Sequence, residues 1–116
     1  LLSSNLVDDR GIVWILDWEY GGAGDLFFDL GNLAANNRFD REQEEQLLQY
    51  YFGEVRPSDL RRLRLMRMAS DMREAMWGFL QTRISKLDFD YESYARRHFE
   101  RFRAGAERAA GKYGWD

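Results

Sequence analysis

The chain has 116 residues, of which 45% are hydrophobic and 16% aromatic, so it can bury the core of one domain. Its formal net charge of −3 gives no electrostatic footprint for nucleic acid, and no apolar stretch approaches the roughly 20 residues of a membrane span. The chain contains no cysteine, which excludes disulfides, thiolate catalysis and cysteine-ligated zinc and fits the cytoplasmic location that we expect.

The first 18 residues predict a β-hairpin. A short strand, Asn5-Leu6-Val7, precedes the turn residues Asp8-Asp9-Arg10-Gly11, in which Gly11 can take a positive φ. The apolar run from Ile12 to Leu16 is too short for a helix and is rich in β-branched residues. We therefore predict a second strand that is buried on both faces, with Asp17 directly after it.

Asn5 and Asp17 are the candidate metal ligands of this hairpin. Amide and carboxylate oxygens suit a hard cation such as Mg²⁺, and a carboxylate buried after five apolar residues would need a metal or a cation as partner. The alternative is that Asp17 only begins a turn. Glu19 would point the same way as Asp17 if the strand continued, either as a second metal contact or as a helix-end cap.

After the loop Gly21-Gly22-Ala23-Gly24 the pattern predicts helices with recognisable ends. Asp25 is a candidate N-cap that has Asp29 in the following turn, where the helix dipole favours both charges. Asp40 and Gln43 have the spacing of a capping box. The expected helices run from Leu26 to Asn36, from Asp40 to about Phe52 with Gly53 as the stop, from Pro57 to about Ser85, and onward from the N-cap Asp90.

The two long helices each carry an apolar stripe that predicts a buried face. His98, the only histidine, is expected to pack between helices or lie at the surface, and the arginines at positions 61, 62, 64 and 67 are expected to form a solvated face. The stripes are Leu60, Leu63, Met66, Ala69, Met72, Met76, Phe79 and Ile84 in the third helix, and Tyr91, Tyr94, Ala95, Phe99, Phe102, Ala106, Ala109 and Tyr113 in the last.

Aromatic residues gather around the end of the third helix and the start of the fourth. Trp77, Phe89 and Tyr94 could form a cation–π cage for an ammonium group, at about 0.5–2 kcal/mol per contact. The same residues have a structural explanation. With Asp90 as N-cap, Phe89 and Tyr94 have the spacing of a hydrophobic staple, and Trp77 would be an ordinary core residue.

Together these residues resemble the choline/ethanolamine kinase family, within the aminoglycoside-phosphotransferase-like group of kinase folds. The resemblance covers nearly the whole chain. It lies in the stretches Leu1-Leu2-Ser3-Ser4-Asn5, Ile15-Leu16-Asp17-Trp18-Glu19-Tyr20, Gly24-Asp25-Leu26-Phe27-Phe28-Asp29-Leu30-Gly31-Asn32 and Trp77-Gly78-Phe79-Leu80-Gln81, with Ile84-Ser85, Phe89, Tyr91 and Tyr94.

The resemblance implies a mainly α fold with a short N-terminal β-hairpin, the C-terminal lobe of a protein-kinase-like fold. Residues 1–20 would form a metal-binding hairpin, and residues 25–116 would form a helical subdomain that binds a small-molecule amino-alcohol acceptor. ATP would be the co-substrate, with Mg²⁺ as cofactor. By this resemblance the metal ligands are Asn5, Asp17 and Glu19, the ammonium pocket is lined by Tyr20, Trp77, Phe89 and Tyr94, and Asp25 and Asp29 give structural support.

The chain also departs from the family pattern. The His-Asn-Asp box with the catalytic base would precede Leu1, and the nucleotide-binding N-terminal lobe is the expected partner from the same protein. We therefore expect residues 1–116 alone to show no kinase turnover. Asn36 stands where some members have an acidic choline contact, which leaves aminoglycosides and other amino alcohols open as acceptors. A non-catalytic helical module that binds a ligand or protein is the alternative from another class.

Overall fold

A computed structural model of the chain describes residues 2–18 and 21–113, which form a β-hairpin and four helices. The predicted fold class, mainly α with an N-terminal hairpin, is therefore confirmed. A short 3-10 helix, Ser3–Asn5, precedes strands β1 (Leu6–Asp9) and β2 (Ile12–Ile15), and the helices are α1 (Leu26–Asn36), α2 (Arg41–Phe52), α3 (Pro57–Ile84) and α4 (Tyr91–Tyr113).

The chain divides into two compact units, Leu1–Met66 and Arg67–Asp116. The first unit contains the hairpin, α1, α2 and the beginning of α3, and the second contains the rest of α3 and α4. No helix within residues 2–18 and 21–113 combines the length and the apolar character that crossing a membrane requires.

The hairpin closes through a two-residue turn. Strands β1 and β2 pair antiparallel, with Leu6 opposite Ile15 at one end. Arg10 and Gly11 have φ values of 54° and 86°, and two successive positive φ values match the right-handed twist of a hairpin. Strand β1 begins at Leu6, one residue later than predicted, because Asn5 ends the 3-10 helix.

The predicted burial of the second strand is wrong for this chain. Ile12 and Val13 are each 60% exposed, and both are solvent-accessible although they point to opposite faces of the sheet. The strand also ends at Ile15, two residues before Asp17. An apolar run reports a tendency to be buried, but burial requires a second layer, and both faces of this two-stranded sheet are accessible.

Helices α1, α2 and the start of α3 enclose the core of the first unit, which consists of Phe27, Leu30, Leu48 and Leu63. The predicted helix ends are confirmed. The Asp25 carboxylate accepts a hydrogen bond from the Phe27 amide at 2.9 Å, Asp40 and Gln43 form a capping box, Gly53 ends α2 with φ of 78°, and Pro57 is the first residue of α3.

The arginines at the start of α3 are not simply a solvated face. Arg62 donates to Asp25 at 2.6 Å and lies 4.7 Å from the centre of the Phe27 ring. Arg64 donates to the buried carboxylate of Glu44 at 2.9 Å. These two side chains therefore tie α3 to the beginning of α1 and to α2. A basic run in the sequence does not reveal such partners, because they lie 37 and 20 residues away.

In the second unit, α3 and α4 meet through small residues. A Cβ atom added at Gly78 would lie 2.9 Å from the Ala95 Cβ and 3.0 Å from Tyr94 Cδ1. The two helices are therefore so close here that no side chain larger than that of glycine fits at position 78.

The apolar stripe predicted for α3 is wrong in the half that belongs to the second unit. Ala69, Met76, Phe79 and Ile84 are exposed there, while Ser70, Asp71, Ala75 and Gly78 are buried. Because α3 and α4 approach each other closely, the face of α3 that is buried is the one with small side chains and not the one with the largest apolar side chains. The α4 stripe is only partly right, because His98 and Gly105 are buried and Phe99 is exposed.

Candidate functional site

The structure brings Asn5 and Asp17 together at the open end of the hairpin. The Asn5 Nδ2 atom donates to Asp17 Oδ2 at 3.3 Å, although twelve residues separate the two in sequence. A backbone bond from the Leu16 amide to the Asn5 carbonyl, 2.8 Å long, continues the strand pairing and holds this spacing. Asp17 has φ of 61°, a left-handed conformation that aspartate tolerates better than most residues.

This pair fits a magnesium ion in the chemistry of its donors. Mg²⁺ prefers oxygen and is commonly held in nucleotide sites by one or two carboxylates together with phosphate oxygens and water. Among the described residues no group of three or more His, Asp or Glu side chains could hold a metal alone. A metal at Asn5 and Asp17 would therefore need further ligands, such as phosphate oxygens or water. Glu19 and Tyr20 lie outside the described residues.

The two aspartates predicted as support lie at the start of α1. Asp25 caps the helix and binds Arg62, and the hydrogen bond from Arg62, followed by that from the Phe27 amide, holds the pKa of the Asp25 carboxyl below its ordinary value. Asp29 is exposed in the first turn of the same helix. Both residues thus place negative charge at a helix N-terminus, where the dipole favours it.

The structure also brings together Trp77, Phe89 and Tyr94, with Tyr91 as a fourth member of this aromatic cluster. The Trp77 ring contacts Tyr91 and Tyr94 edge-on at centroid distances of 5.7 and 5.9 Å. Phe89 contacts the same two tyrosines at 4.8 and 6.1 Å. Tyr91 belongs both to the stretch that carries the family resemblance and to the α4 stripe, but it was not among the predicted ammonium-pocket residues, and it is buried.

Exposure separates the two explanations offered for these rings. Trp77 is 43% and Phe89 is 54% exposed, so neither is an ordinary core residue and both are accessible to a ligand. The hydrophobic staple is present as well, because Asp90 caps α4 by accepting from the Ser93 amide at 3.0 Å and Phe89 contacts Tyr94. The staple therefore holds rings whose remaining surface faces solvent.

Sequence reasoning missed the carboxylate of this cluster. The Tyr94 hydroxyl donates to Glu74 Oε2 at 2.6 Å, and burial followed by this hydrogen bond raises the pKa of the Tyr94 phenol. Glu74 precedes Trp77 by three residues, a spacing that puts both on one side of α3. That spacing is the signal in the sequence that could have indicated Glu74 as part of the cluster.

A buried polar cluster lies beside the aromatic cluster. His98 Nδ1 is 2.9 Å and an Arg101 nitrogen is 3.0 Å from Asp71 Oδ1, and the Asp71 side chain is only 9% exposed. The His98 ring lies 4.6 Å from the Tyr94 ring, centroid to centroid. His98 thus packs between α3 and α4, as expected for a structural histidine, and supports the side of Tyr94.

The chain is similar in sequence to known kinases, although no model of a protein family matches it. It is 32% identical to human ethanolamine kinase 2 over 123 residues, which cover 88% of this chain and 32% of the kinase. It is 25% identical to probable choline kinase 2 of Arabidopsis thaliana, with 82% of this chain and 34% of that protein covered. The chain spans about a third of the length of the curated relatives it matches.

A crystal structure gives the same result for the fold. A choline/ethanolamine kinase family protein from Mesorhizobium loti superposes with a TM-score of 0.85 at 34% identity, and the match covers 91% of this chain and 36% of the other. The resemblance to the choline/ethanolamine kinase family and the kinase-like fold are therefore confirmed.

Proposed function

We infer that this chain is the C-terminal-lobe part of a choline/ethanolamine kinase family member, and we propose that the intact protein transfers the γ-phosphoryl group of ATP to the hydroxyl of ethanolamine or choline. The observation that carries the proposal is the contact between Asn5 and Asp17, 3.3 Å apart at the end of the hairpin, in a chain whose relatives are ethanolamine and choline kinases. An amide and a carboxylate in this relation are the metal-holding pair of kinase-like phosphotransferases.

In this proposal the hairpin serves the nucleotide. Asn5 and Asp17 would hold Mg²⁺, with Glu19 as a further contact to the ion or to its water. The ion, when bound, neutralises charge on the transferring phosphates. The chain's own contribution is to position the metal ligands. The short turn at Arg10-Gly11 and the backbone bond between Leu16 and Asn5 keep Asn5 and Asp17 next to each other without a bound ligand.

The second unit would serve the acceptor. The exposed parts of Trp77 and Phe89 and the ring of Tyr94 present π surfaces to which an ammonium group is attracted. An amino alcohol held by its ammonium end leaves its hydroxyl end available to the phosphoryl donor. Asp25 and Asp29 would act in support by stabilising the start of α1.

The proposal is tested by assaying the intact protein for ATP-dependent phosphorylation of ethanolamine, choline and an aminoglycoside. Mg²⁺-dependent product with either amino alcohol supports it. Product with the aminoglycoside alone would assign the chain to the other acceptor class. Binding of an amine without any phosphorylation would favour a non-catalytic binding module.

Trp77→Ala in the intact protein is expected to raise the KM for the amino alcohol about tenfold, with little change in the KM for ATP. The ring supplies mainly ground-state attraction to the ammonium, worth about 1–2 kcal/mol, and such a loss appears in KM with kcat nearly unchanged. Because Trp77 is half exposed, the change should cost less stability than the roughly 3–5 kcal/mol of a buried tryptophan. Initial-rate kinetics and a thermal melt measure both effects.

Two variants serve as controls for this experiment. Trp77→Phe keeps an aromatic face and should recover most of the affinity, while Met76→Ala removes an exposed neighbour on α3 and should leave the KM unchanged. A large drop in melting temperature with an unchanged amino-alcohol KM would show that Trp77 is structural and does not contact the acceptor.

A further inference from the structure

Resting on the proposed function, we propose that Glu74 is a specificity-determining residue of the acceptor pocket, which favours amino alcohols whose ammonium carries at least one N–H over quaternary ones. The placement of its carboxylate is the first argument. Glu74 Oε2 lies 2.6 Å from the Tyr94 hydroxyl oxygen, and the Tyr94 ring lies 5.9 Å from that of Trp77, centroid to centroid. The negative charge therefore borders the same rings that attract a cation.

The accessibility of this carboxylate is the second argument. The Glu74 side chain is 17% exposed, so it is partly removed from water yet still reachable from it. Charge interactions at such a position are screened less than at an open surface. The side chain is held in place from two sides, by Tyr94 at one oxygen and by Arg73 at the other, 3.1 Å away. A carboxylate has about four lone-pair positions, so these two bonds leave room for another donor.

The third argument comes from the chemistry of the two kinds of ammonium. The aromatic faces attract any cation, because cation–π attraction needs no hydrogen on the nitrogen. A carboxylate distinguishes them, since only an ammonium with an N–H can donate a charge-assisted hydrogen bond, roughly twice as strong as a neutral one. In a trimethylammonium group the methyl carbons surround the nitrogen, so the carboxylate acts on it only as a more distant charge. In this proposal the aromatic rings attract both kinds of ammonium, and Glu74 distinguishes an ammonium that has an N–H from a quaternary one.

The test uses a graded series of acceptors with the intact wild-type protein: ethanolamine, its N-methyl and N,N-dimethyl derivatives, and choline. The first three, when protonated, keep at least one N–H, and choline has none. We expect kcat/KM to change little from ethanolamine to the dimethyl compound. It should fall about tenfold at choline, because choline cannot make the single N–H hydrogen bond to the Glu74 carboxylate. A series without a fall at choline overturns the inference, and this measurement needs no variant to fold.

The variant Glu74→Gln then assigns the fall to this residue. The amide is a neutral and weaker acceptor, so the step between the dimethyl compound and choline should shrink to less than about threefold. Glu107→Gln, a change at an exposed carboxylate on α4, should keep the full step. A Glu74→Gln protein that retains the tenfold step overturns the inference while leaving the kinase proposal intact. An intact protein that phosphorylates none of the four compounds overturns the proposed function, and the inference with it.

Discussion

Replacing Asp17 with alanine in the intact protein is expected to lower kcat at least about a thousandfold, or about 4 kcal/mol of transition-state stabilisation. In the proposed site Asp17 is the carboxylate that holds Mg²⁺ beside the transferring phosphates, while Asn5, 3.3 Å away, offers only a neutral amide. Loss of the charged ligand removes both the position and the charge compensation of the metal. Steady-state turnover with ATP and ethanolamine measures the effect.

The backbone at Asp17 determines which controls are informative. Its φ of 61° is unfavourable for alanine, so part of any loss could come from a disturbed hairpin. Asparagine tolerates this conformation and keeps the shape, so Asp17→Asn removes only the charge and should be nearly as inactive. Asp9→Ala, at an exposed carboxylate of the same hairpin, should keep full activity. An Asp17→Asn protein with the wild-type kcat would show that the residue only shapes the turn.

Asn5→Ala is expected to be severe but partly reversible. The amide is the weaker of the two proposed ligands, so a higher concentration of Mg²⁺ or Mn²⁺ should recover part of the turnover by mass action. Activity that is lost to the same degree at every metal concentration would contradict a ligand role for Asn5.

Asp71→Ala is expected to destabilise the packing of α3 against α4 by about 3–5 kcal/mol, the usual cost of removing one partner of a buried charged cluster. The change would leave His98 and Arg101 without the carboxylate that lies 2.9 and 3.0 Å from them. Amide hydrogen exchange in α3 and α4 measures the local opening free energy directly and does not require that the intact protein unfold in one step.

A surface pair on α4 provides the matched control for this change. Glu92 and Arg96 form an exposed ion pair 2.7 Å long, and Glu92→Ala should change the opening free energy by no more than about 0.5 kcal/mol. Asp71→Asn keeps the size and an acceptor oxygen and should lie between the two. Unchanged exchange in Asp71→Ala would show that the cluster contributes nothing net to the helix contact.

The parts of the fold that the sequence predicted are those decided by neighbours along the chain. Capping by Asp25, Asp40 and Asp90, the stop at Gly53 and the hairpin turn at Gly11 each depend on a side chain or a φ preference within a few residues. Because these interactions involve only residues close together in the sequence, the sequence is sufficient to predict them, and these elements begin and end close to where they were expected.

The errors arose where burial depends on what lies opposite. Strand β2 is apolar yet exposed, and in α3 the buried residues are Ser70, Asp71, Ala75 and Gly78, not the larger apolar ones. Neither fact can be deduced from periodicity, because the first depends on whether another layer covers the strand and the second on how closely α4 approaches α3. The residues of the candidate site likewise include some that the sequence predicts and some that it does not. The spacing of Asn5 and Asp17 was readable, whereas the contact of Glu74 with Tyr94 joins residues 20 positions apart on two helices.

The accessible strand β2 has a consequence for how these 116 residues behave as a separate polypeptide. The run from Ile12 to Leu16 is uncharged, contains no proline and is between 37% and 60% exposed. Within the described part of the chain, one edge of β2 pairs with no other strand. Runs of this composition on an open strand edge add further strands from other molecules and seed aggregation. A charged residue introduced within positions 12–15 would therefore improve colloidal stability, and it would leave Asn5, Asp17 and the backbone bond from Leu16 to Asn5 in place.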